Sequence, residues 1–262
     1  MSLKKSKWLF GLIKFKRYIL RKKFITVFDG PLKGYLWNTS YNYDYILGTY
    51  EDPEALKIFC SWLKEDTVLY DLGANIGYYA LMANQYIKTG VIYSFEPMPG
   101  NIRVFNKHLE LNRKFIKNDN IKLMPFAISD ADKKVSFSEN KGTMEGNTYI
   151  EKSSVYTGAQ DTFSVQSYSV DSLLQQGYRK PGIIKIDVEG AEYDVLVGAK
   201  NTLEKYHPKI LLATHDTHLE GVKDQCIHFL KALGYKILPI NSSNKASGGL
   251  EDFIAIFEEN AS

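Results

Sequence analysis

The stretch VLYDLGANIGYYA, residues 68–80, decides the fold of this 262-residue chain. It begins with a continuous apolar run that is typical of a buried strand, and it places one acid, Asp71, before two glycines, Gly73 and Gly77. A helix-like run follows Gly77. A strand, a glycine-containing turn and a helix in this order predict the first unit of an open parallel sheet, where ligands bind beyond the carboxyl ends of the strands.

The chemistry of this turn narrows the class of ligand. A dinucleotide-binding turn has the pattern G-x-G-x-x-G, but the position two after Gly73 is Asn75, and the Gly-Lys-Ser/Thr of a P-loop is also missing. An acid at the end of the first strand repels phosphate and suits a ligand with an ammonium or sulfonium charge. Glu96 ends the second predicted strand, 19 residues beyond Gly77, where an acid commonly accepts hydrogen bonds from ribose hydroxyls. The sequence therefore predicts S-adenosylmethionine as the ligand, with its carboxylate favoured by the helix N-terminus.

The rest of the chain continues the alternation of strands and helices. Seven apolar strand segments follow one another from Thr67 onward: TVLYDL, GVIYSFE, IKLMPFAI, GIIKID, KILLAT, YKILPI and DFIAIF. Amphipathic helical patterns separate most of them, which predicts an α/β fold with a Rossmann-like, mostly parallel sheet covered by helices on both faces. Before this region, FITVF and KGYLWN predict a β-hairpin, and Asp52-Pro53 predicts the start of a helix. We therefore expect an N-terminal part, residues 1–66, that packs on a core domain, residues 67–262.

Several segments resemble, in order and spacing, the FkbM family of S-adenosylmethionine-dependent methyltransferases. They are VLYDLGANIGYYALMA, YSFEPMPGNIRVFNKHLELN, AISD, VDSLL, IIKIDVEGAEYDVLVGA and PKILLATH, and the resemblance covers roughly residues 50 to 216. It implies the class I methyltransferase fold, a seven-stranded sheet whose last strand is antiparallel. It also implies O-methylation of a hydroxyl group on a sugar, glycan, lipid or natural product.

The resemblance implies roles for individual residues as well. The residues that would border the cofactor are Asp71, Gly73, Asn75 and Gly77 at the methionine part, Glu96 at the ribose, and Ser129 and Asp130, taken as the end of the third strand, near the adenine. The chain departs from the family pattern at the fifth strand, where Ala213-Thr214 precedes His215 and an acid is often expected. It also departs in the insertion, residues 131–170. These departures leave the identity of the acceptor open.

A second group of polar residues follows the fourth predicted strand, which ends at Asp187. Three acids surround the start of the next helix: Glu189, Glu192 and Asp194. Acids in the first turn of a helix are stabilised by the helix dipole, and this explains Glu192 and Asp194 without a catalytic role. Because the fourth and fifth strands are neighbours in this fold, their ends lie about 5 Å apart. We therefore expect Asp187 to lie close to His215 and Asp216.

Methyl transfer to an alcohol requires that the hydroxyl group lose its proton, so a general base or a metal ion is needed. We expect Asp187 and His215 to be the catalytic residues. Either His215 is the base and Asp187 orients it, or both residues, with Asp216, bind a divalent metal ion. The sequence favours the metal-free base, because magnesium prefers an all-oxygen shell and histidine is an unusual ligand for it.

The basic residues are concentrated at the start of the chain. The first 23 residues, MSLKKSKWLFGLIKFKRYILRKK, contain nine of the 33 Lys and Arg residues and no acid, so the remainder has 24 basic against 30 acidic residues. This basic arm has no apolar run long enough for a membrane span. Its imperfect amphipathic pattern fits either a helix that packs on the domain or peripheral contact with anionic lipid at the inner face of a membrane. Cys60 and Cys226 have neither disulfide nor zinc spacing, which favours a cytoplasmic protein.

The sequence leaves three further interpretations open. Tyr41, Tyr43, Tyr45 and Tyr50 are either a packing layer beneath the hairpin or a wall on which a sugar ring stacks. The basic arm raises an RNA methyltransferase as an alternative, although the acidic body and the lack of a recognisable RNA-binding module argue against a nucleic-acid partner. A non-catalytic cofactor-binding protein of the same fold is the other alternative. The insertion is predicted to be a loop or hairpin that covers the substrate.

Overall fold

A computed structural model describes residues 23–139, 148–150, 162–215, 220–240 and 250–258 of the chain. The strands are β1 (Phe24–Thr26), β2 (Leu36–Asn38), β3 (Val68–Leu72), β4 (Val91–Phe95), β5 (Ile121–Met124), β6 (Ala127–Ile128), β7 (Lys133–Glu139), β8 (Thr148–Ile150), β9 (Thr162–Tyr168), β10 (Ile183–Ile186), β11 (Lys209–His215), β12 (Tyr235–Pro239) and β13 (Leu250–Phe257). The helices are α1 (Asp44–Leu47), α2 (Pro53–Trp62), α3 (Tyr78–Ala83), α4 (Pro99–Leu111), α5 (Val170–Gln175), α6 (Glu192–Gly198), α7 (Lys200–Tyr206) and α8 (Val222–Ala232). Residues 1–22 of the basic arm, and Asp216, lie outside the described ranges.

The N-terminal elements form a layer against the sheet. β1 and β2 pair antiparallel, which confirms the predicted hairpin. The predicted start of α2 is also confirmed, because the Asp52 carboxylate accepts hydrogen bonds from the N–H groups of Glu54 at 2.8 Å and Ala55 at 3.2 Å. Trp37 of β2 is fully buried in the same hydrophobic cluster as Leu69 of β3. The hairpin and the seven-stranded sheet therefore share one core.

The main sheet has seven strands in the order β12-β13-β11-β10-β3-β4-β5. β11, β10, β3, β4 and β5 run parallel, and β13 is antiparallel to both of its neighbours. The fold expected from the sequence is therefore confirmed, including the antiparallel last strand. The chain runs outward from β3 to β5 and then returns to β10 on the other side of β3. This reversal creates the crevice at the carboxyl ends of β3 and β10 where open α/β sheets bind ligands.

Two hydrophobic clusters cover the two faces of this sheet. The N-terminal layer, α3 and Phe105 of α4 pack on one face, while α5, α6, α7 and α8 pack on the other. Successive residues of β3 alternate between the clusters, because side chains along a strand point to opposite faces. The helix predicted after the fourth strand is two short helices, α6 and α7, which meet at Ala199. Across the described ranges, none of the helices combines the length and apolarity needed to cross a membrane.

A second, smaller sheet has the strand order β6-β9-β7-β8. It corrects one expectation, because IKLMPFAI does not form a single third strand: β5 belongs to the main sheet and β6 to the smaller one. Pro125 lies between them, and proline has no N–H with which to continue a ladder. Ser129 and Asp130 therefore follow a strand of the smaller sheet. The insertion supplies β7, β8 and β9, and its role over the substrate stays a prediction.

Candidate active site

β3 and β10 come into close contact where they end at the crevice. The N–H of Asp187 donates to the carbonyl oxygen of Leu72 at 3.1 Å. Gly73, which follows Leu72, has φ +74°, and a Cβ there would lie 1.8 Å from the Asp187 carbonyl oxygen. Only glycine allows the turn after β3 to pass this close to the residue that follows β10. The same close approach positions the predicted cofactor turn beside the predicted catalytic acid.

The turn after β3 is joined to the end of β4 through Glu96. Asn75, in the left-handed region at φ +48°, donates its N–H to Glu96 Oε2 at 2.8 Å, and Met98 donates its N–H to Oε1 at 2.8 Å. Burial raises the pKa of Glu96 to about 7, although these backbone hydrogen bonds act to lower it. Gly77 closes the turn at φ +93°, where a Cβ would lie 2.4 Å from the ring of Phe105. The structure thus brings together Gly73, Asn75, Gly77 and Glu96, and their contact with a cofactor stays a prediction.

A buried lysine, Lys185, faces Asp71, so this acid already has a positive charge beside it. Lys185 Nζ lies 3.7 Å from Asp71 Oδ1 and 3.2 Å from Asp187 Oδ2, and it donates to the Gly73 carbonyl oxygen at 3.0 Å. Burial raises the pKa of Asp71 to about 6, and the positive charge of Lys185 opposes that shift. Burial alone would lower the pKa of Lys185, but the charges of Asp187 and Asp71 raise it above its ordinary value. The signal for Lys185 in the sequence is a single charge within the apolar strand IIKI.

The end of β11 places His215 beside the loop that follows β10. Its Nε2 lies 3.5 Å from Asp187 Oδ1, so the proximity expected from neighbouring strands is confirmed. The same atom lies 3.6 Å from Glu189 Oε2, and Nδ1 lies 2.7 Å from Glu192 Oε1. Burial lowers the pKa of His215, but the hydrogen bond to Glu192 and the charges of the three acids outweigh it and raise the pKa to about 9.

Two members of this cluster were not predicted as site residues. Glu192 is 0% exposed, and its Oε1 accepts a hydrogen bond from the N–H of Gly190 at 2.9 Å as well as contacting His215. Helix-dipole stabilisation alone is therefore an incomplete explanation of Glu192. A signal existed in the sequence, because Glu192 shares the buried face of α6 with Val195 and Leu196, three and four residues further on. Glu189 has φ +56°, in the left-handed region of backbone conformation. No sequence pattern revealed this conformation.

Ser129 and Asp130 make other contacts. The Ser129 hydroxyl donates to Asp130 Oδ1 at 2.9 Å. Both residues pack on the end of α6, where a Cβ at Gly198 would lie 2.1 Å from the Ser129 carbonyl oxygen. Their role near the adenine stays a prediction. Asp216, the third metal candidate, falls outside the described residues.

The N-terminal layer supplies an aromatic wall beside the cluster. Tyr45 is buried between Trp37 and Tyr50, with ring centroids 5.2 Å and 3.7 Å away, so packing is its role. Tyr50 is 36% exposed. Burial, and then the charges of Glu51 and Asp187, raise the pKa of Tyr50. Its ring centroid lies 5.6 Å from that of Tyr78, the first residue of α3, so a partly exposed aromatic ring lies beside the helix that follows the turn.

Comparison with known sequences identifies related proteins. The model of the Methyltransferase FkbM domain family matches residues 71–237. Hexuronic acid methyltransferase AglP of Haloferax volcanii is 24% identical over 154 residues, which are 58% of this chain and 58% of the relative. Methyltransferase 1 of Beauveria bassiana is 24% identical over 155 residues, 51% of this chain and 59% of the relative. The match thus spans somewhat more than half the length of these relatives.

Solved structures agree in fold. Methyltransferase FkbM from Methylobacillus flagellatus superposes with a TM-score of 0.53 at 15% identity, over 74% of this chain and 44% of that one. An rRNA methylase from Streptococcus thermophilus gives a TM-score of 0.51 at 10% identity, over 80% of this chain and 99% of that one. At such low identity these structures support the class I methyltransferase fold alone.

Proposed function

We propose, since this chain belongs to the FkbM methyltransferase family, that it transfers a methyl group from S-adenosylmethionine to a hydroxyl group of a sugar or glycan acceptor. One observation carries the proposal. The turn after β3 and the His215 cluster face the same switch-point crevice, and the two parts are joined by Gly73 against Asp187 and by Lys185. A cofactor and an acceptor bound there would be neighbours, as direct transfer requires.

The chemistry of the turn fits the cofactor. Oδ1 of Asn75 is buried without a hydrogen-bond partner within the described part of the chain, and the buried oxygens of Asp71 have only the ion pair with Lys185 at 3.7 Å. Buried polar atoms of this kind normally find a partner, so a polar ligand at the turn is expected to supply one. Asp71, Gly73, Asn75 and Gly77 would border the methionine part. S-adenosylmethionine supplies a methyl group bound to a positively charged sulfur.

Glu96 would hold the ribose. Each of its two oxygens accepts one backbone N–H, and each carboxylate oxygen can accept a further hydrogen bond. A ribose hydroxyl can therefore bind without displacing the N–H of Asn75 or Met98. We place Ser129 and Asp130 near the adenine on the family resemblance.

The acceptor side is assigned to the cluster around His215. A hydroxyl group must give up its proton as its oxygen bonds to the methyl carbon. Asp187 and His215 would contact that hydroxyl, and Tyr50 would pack against the ring of the acceptor. A sugar is proposed because the relative from Haloferax volcanii is named a hexuronic acid methyltransferase and because an aromatic ring suits the apolar face of a sugar.

The function is tested by incubating the purified protein and S-adenosylmethionine with a panel of hexuronic acids, neutral sugars and their glycosides. Mass spectrometry should detect a gain of about 14 Da on a sugar acceptor, the mass of the added CH₂. Methylation of an RNA substrate in preference to every sugar would support the RNA methyltransferase instead. Cofactor binding without transfer to any acceptor class would support the non-catalytic alternative.

Replacing Glu96 with alanine is expected to weaken S-adenosylmethionine binding at least roughly tenfold, since a buried ligand hydroxyl without an acceptor costs about 1 to 3 kcal/mol. Isothermal titration calorimetry measures the change. Glu110→Ala, at an exposed position of α4, is the matched control and should bind normally. Unchanged affinity in Glu96→Ala would remove Glu96 from the ribose site, and NADH binding as tight as the methyl donor would favour a dehydrogenase.

The same carboxyl group should make binding depend on pH. With a pKa of about 7 in the free protein, Glu96 is mostly protonated at pH 6, whereas hydroxyl donors and a sulfonium charge favour its ionised form. Binding then releases a proton, so affinity is highest above pH 7 and falls by up to about tenfold per pH unit below it. Titrations from pH 5.5 to 8.5 should show this slope in the wild type and a flatter one in Glu96→Gln.

We further propose a cytoplasmic protein whose basic arm contacts anionic lipid. Support comes from the nine basic residues and the absence of acids in residues 1–23. Each basic residue near an anionic surface contributes about 1 kcal/mol, so removing the arm should abolish co-sedimentation with phosphatidylserine vesicles. Equal co-sedimentation of the full chain and the truncated chain would contradict this proposal.

A further inference from the structure

Three side chains at the carboxyl ends of β10 and β11 have the spacing of ligands to a single metal ion. Within the described residues, Asp187, Glu189 and His215 each offer one ligand atom, and these atoms lie within 4.8 Å of one another. His215 Nε2 is 3.5 Å from Asp187 Oδ1 and 3.6 Å from Glu189 Oε2. Two ligands of one ion with bonds of about 2.1 Å are separated by about 3.4 Å in a tetrahedral shell. Small side-chain adjustments would therefore complete a common coordination sphere.

Glu192 supplies an independent observation that points to a cation. It contacts Nδ1 of His215 at 2.7 Å, which directs the opposite nitrogen, Nε2, toward the two carboxylates. Histidines that bind metals almost always donate their other N–H to a carboxylate or carbonyl in this way. Glu192 is 0% exposed, and within the described part of the chain its second oxygen has no hydrogen-bond partner. His215 is a partner for Oε1 only, so the unpartnered Oε2 calls for a further donor or positive charge nearby.

The balance of charge agrees with this interpretation. Three carboxylates surround one imidazole, and Lys185, which contacts Asp187, is shared with the buried Asp71. A divalent cation would offset this excess of negative charge.

We propose that Asp187, Glu189 and His215 bind one first-row transition-metal dication, with Glu192 as the residue that orients His215. One imidazole and two carboxylates suit Zn²⁺ or Mn²⁺ better than Mg²⁺, which prefers oxygen ligands. This replaces the metal-free base that the sequence favoured, and it exchanges Asp216 for Glu189 in the ligand set. Three protein ligands leave a coordination position open, as in catalytic rather than structural zinc sites.

An acceptor hydroxyl could occupy the open coordination position. This step rests on the proposed function, whereas the metal site itself does not. An acceptor hydroxyl bound to the ion becomes more acidic and releases its proton to solvent. Its oxygen then bonds to the methyl carbon as the bond from sulfur to that carbon breaks, and sulfur retains the electron pair. Atoms and charge balance without a further reactant.

The ion site is tested by titrating the full chain, after removal of metals with EDTA and dialysis, with Zn²⁺, Mn²⁺ and Mg²⁺ alone. Calorimetry should show one Zn²⁺ or Mn²⁺ per chain and much weaker Mg²⁺ binding. Glu189→Gln and His215→Ala should each weaken Zn²⁺ binding at least roughly tenfold, and Glu192→Gln should weaken it by about 10-fold to 100-fold. Asp194→Asn, which removes the same charge from the same turn of α6, is the matched control and should bind as the wild type does.

Glu189→Gln is the deciding variant, because 33% of the Glu189 side chain is exposed and its replacement leaves the core intact. Thermal unfolding of each variant without metal checks that it folds. Failure of the folded wild type to bind Zn²⁺ or Mn²⁺, or equal binding by Glu189→Gln, would overturn the proposal. The titration contains neither methyl donor nor acceptor, so an inactive protein that binds the ion would count against the proposed function and not against the site.

Discussion

His215→Ala is expected to lower kcat for methyl transfer by about 10² to 10⁴ while leaving S-adenosylmethionine affinity within a few-fold of normal, because it removes a ligand of the ion that would acidify the acceptor hydroxyl. The reason is the position of the side chain: it lies between Asp187 and Glu189 at the acceptor side of the crevice, whereas the cofactor contacts are made by the turn after β3. Steady-state kinetics on the true acceptor, together with calorimetry of the cofactor, measures the two quantities separately.

A matched control shows whether the effect is specific to His215 or follows the loss of any histidine side chain. His228→Ala removes an exposed histidine from α8, where Nδ1 lies 2.7 Å from the Asp224 carbonyl oxygen, and it should leave kcat unchanged. Circular dichroism of both variants establishes that they are folded. Near-normal turnover by a folded His215→Ala protein would exclude His215 from the catalytic site.

Lys185→Met is expected to lower the free energy of unfolding by about 3 to 5 kcal/mol at neutral pH. Methionine keeps the length of the side chain but removes the positive charge between Asp71 and Asp187. Asp71 is 0% exposed, so it would be left as a buried carboxylate without a counter-charge. The loss should be measured by urea denaturation of the ligand-free protein.

Two further variants define the origin of that loss. Lys236→Met removes an exposed strand lysine whose Nζ lies 2.8 Å from Glu258, and it should cost less than about 1 kcal/mol. Adding Asp71→Asn to Lys185→Met should recover a large part of the stability, because the uncompensated charge disappears. If Lys185→Met costs no more than Lys236→Met, the buried ion pair is not the element that stabilises the crevice.

The sequence by itself determined the features that depend on local patterns. Apolar runs alternating with amphipathic segments were sufficient for the seven-stranded sheet, because buried parallel strands and helices have different periods and lengths. The positions of Gly73 and Gly77 predicted the turn, since left-handed glycines allow contacts that a Cβ would block, with the Asp187 backbone at Gly73 and with the Phe105 ring at Gly77. The proximity of Asp187 and His215 also followed, because neighbouring parallel strands end at one edge of the sheet.

Tertiary structure alone decided which charges face one another. In the sequence, Lys185 is a single charge within an apolar strand. Its contact with Asp71 exists because β10 pairs with β3 in the register that sets these two residues opposite. Glu192 read as a favourable acid at a helix start until the packing of α6 on the sheet turned it toward His215. Periodicity along one segment specifies which face a side chain occupies, but the partner across the interface is contributed by a distant segment. Its identity therefore emerges only when strand order, register and helix packing bring the two segments together.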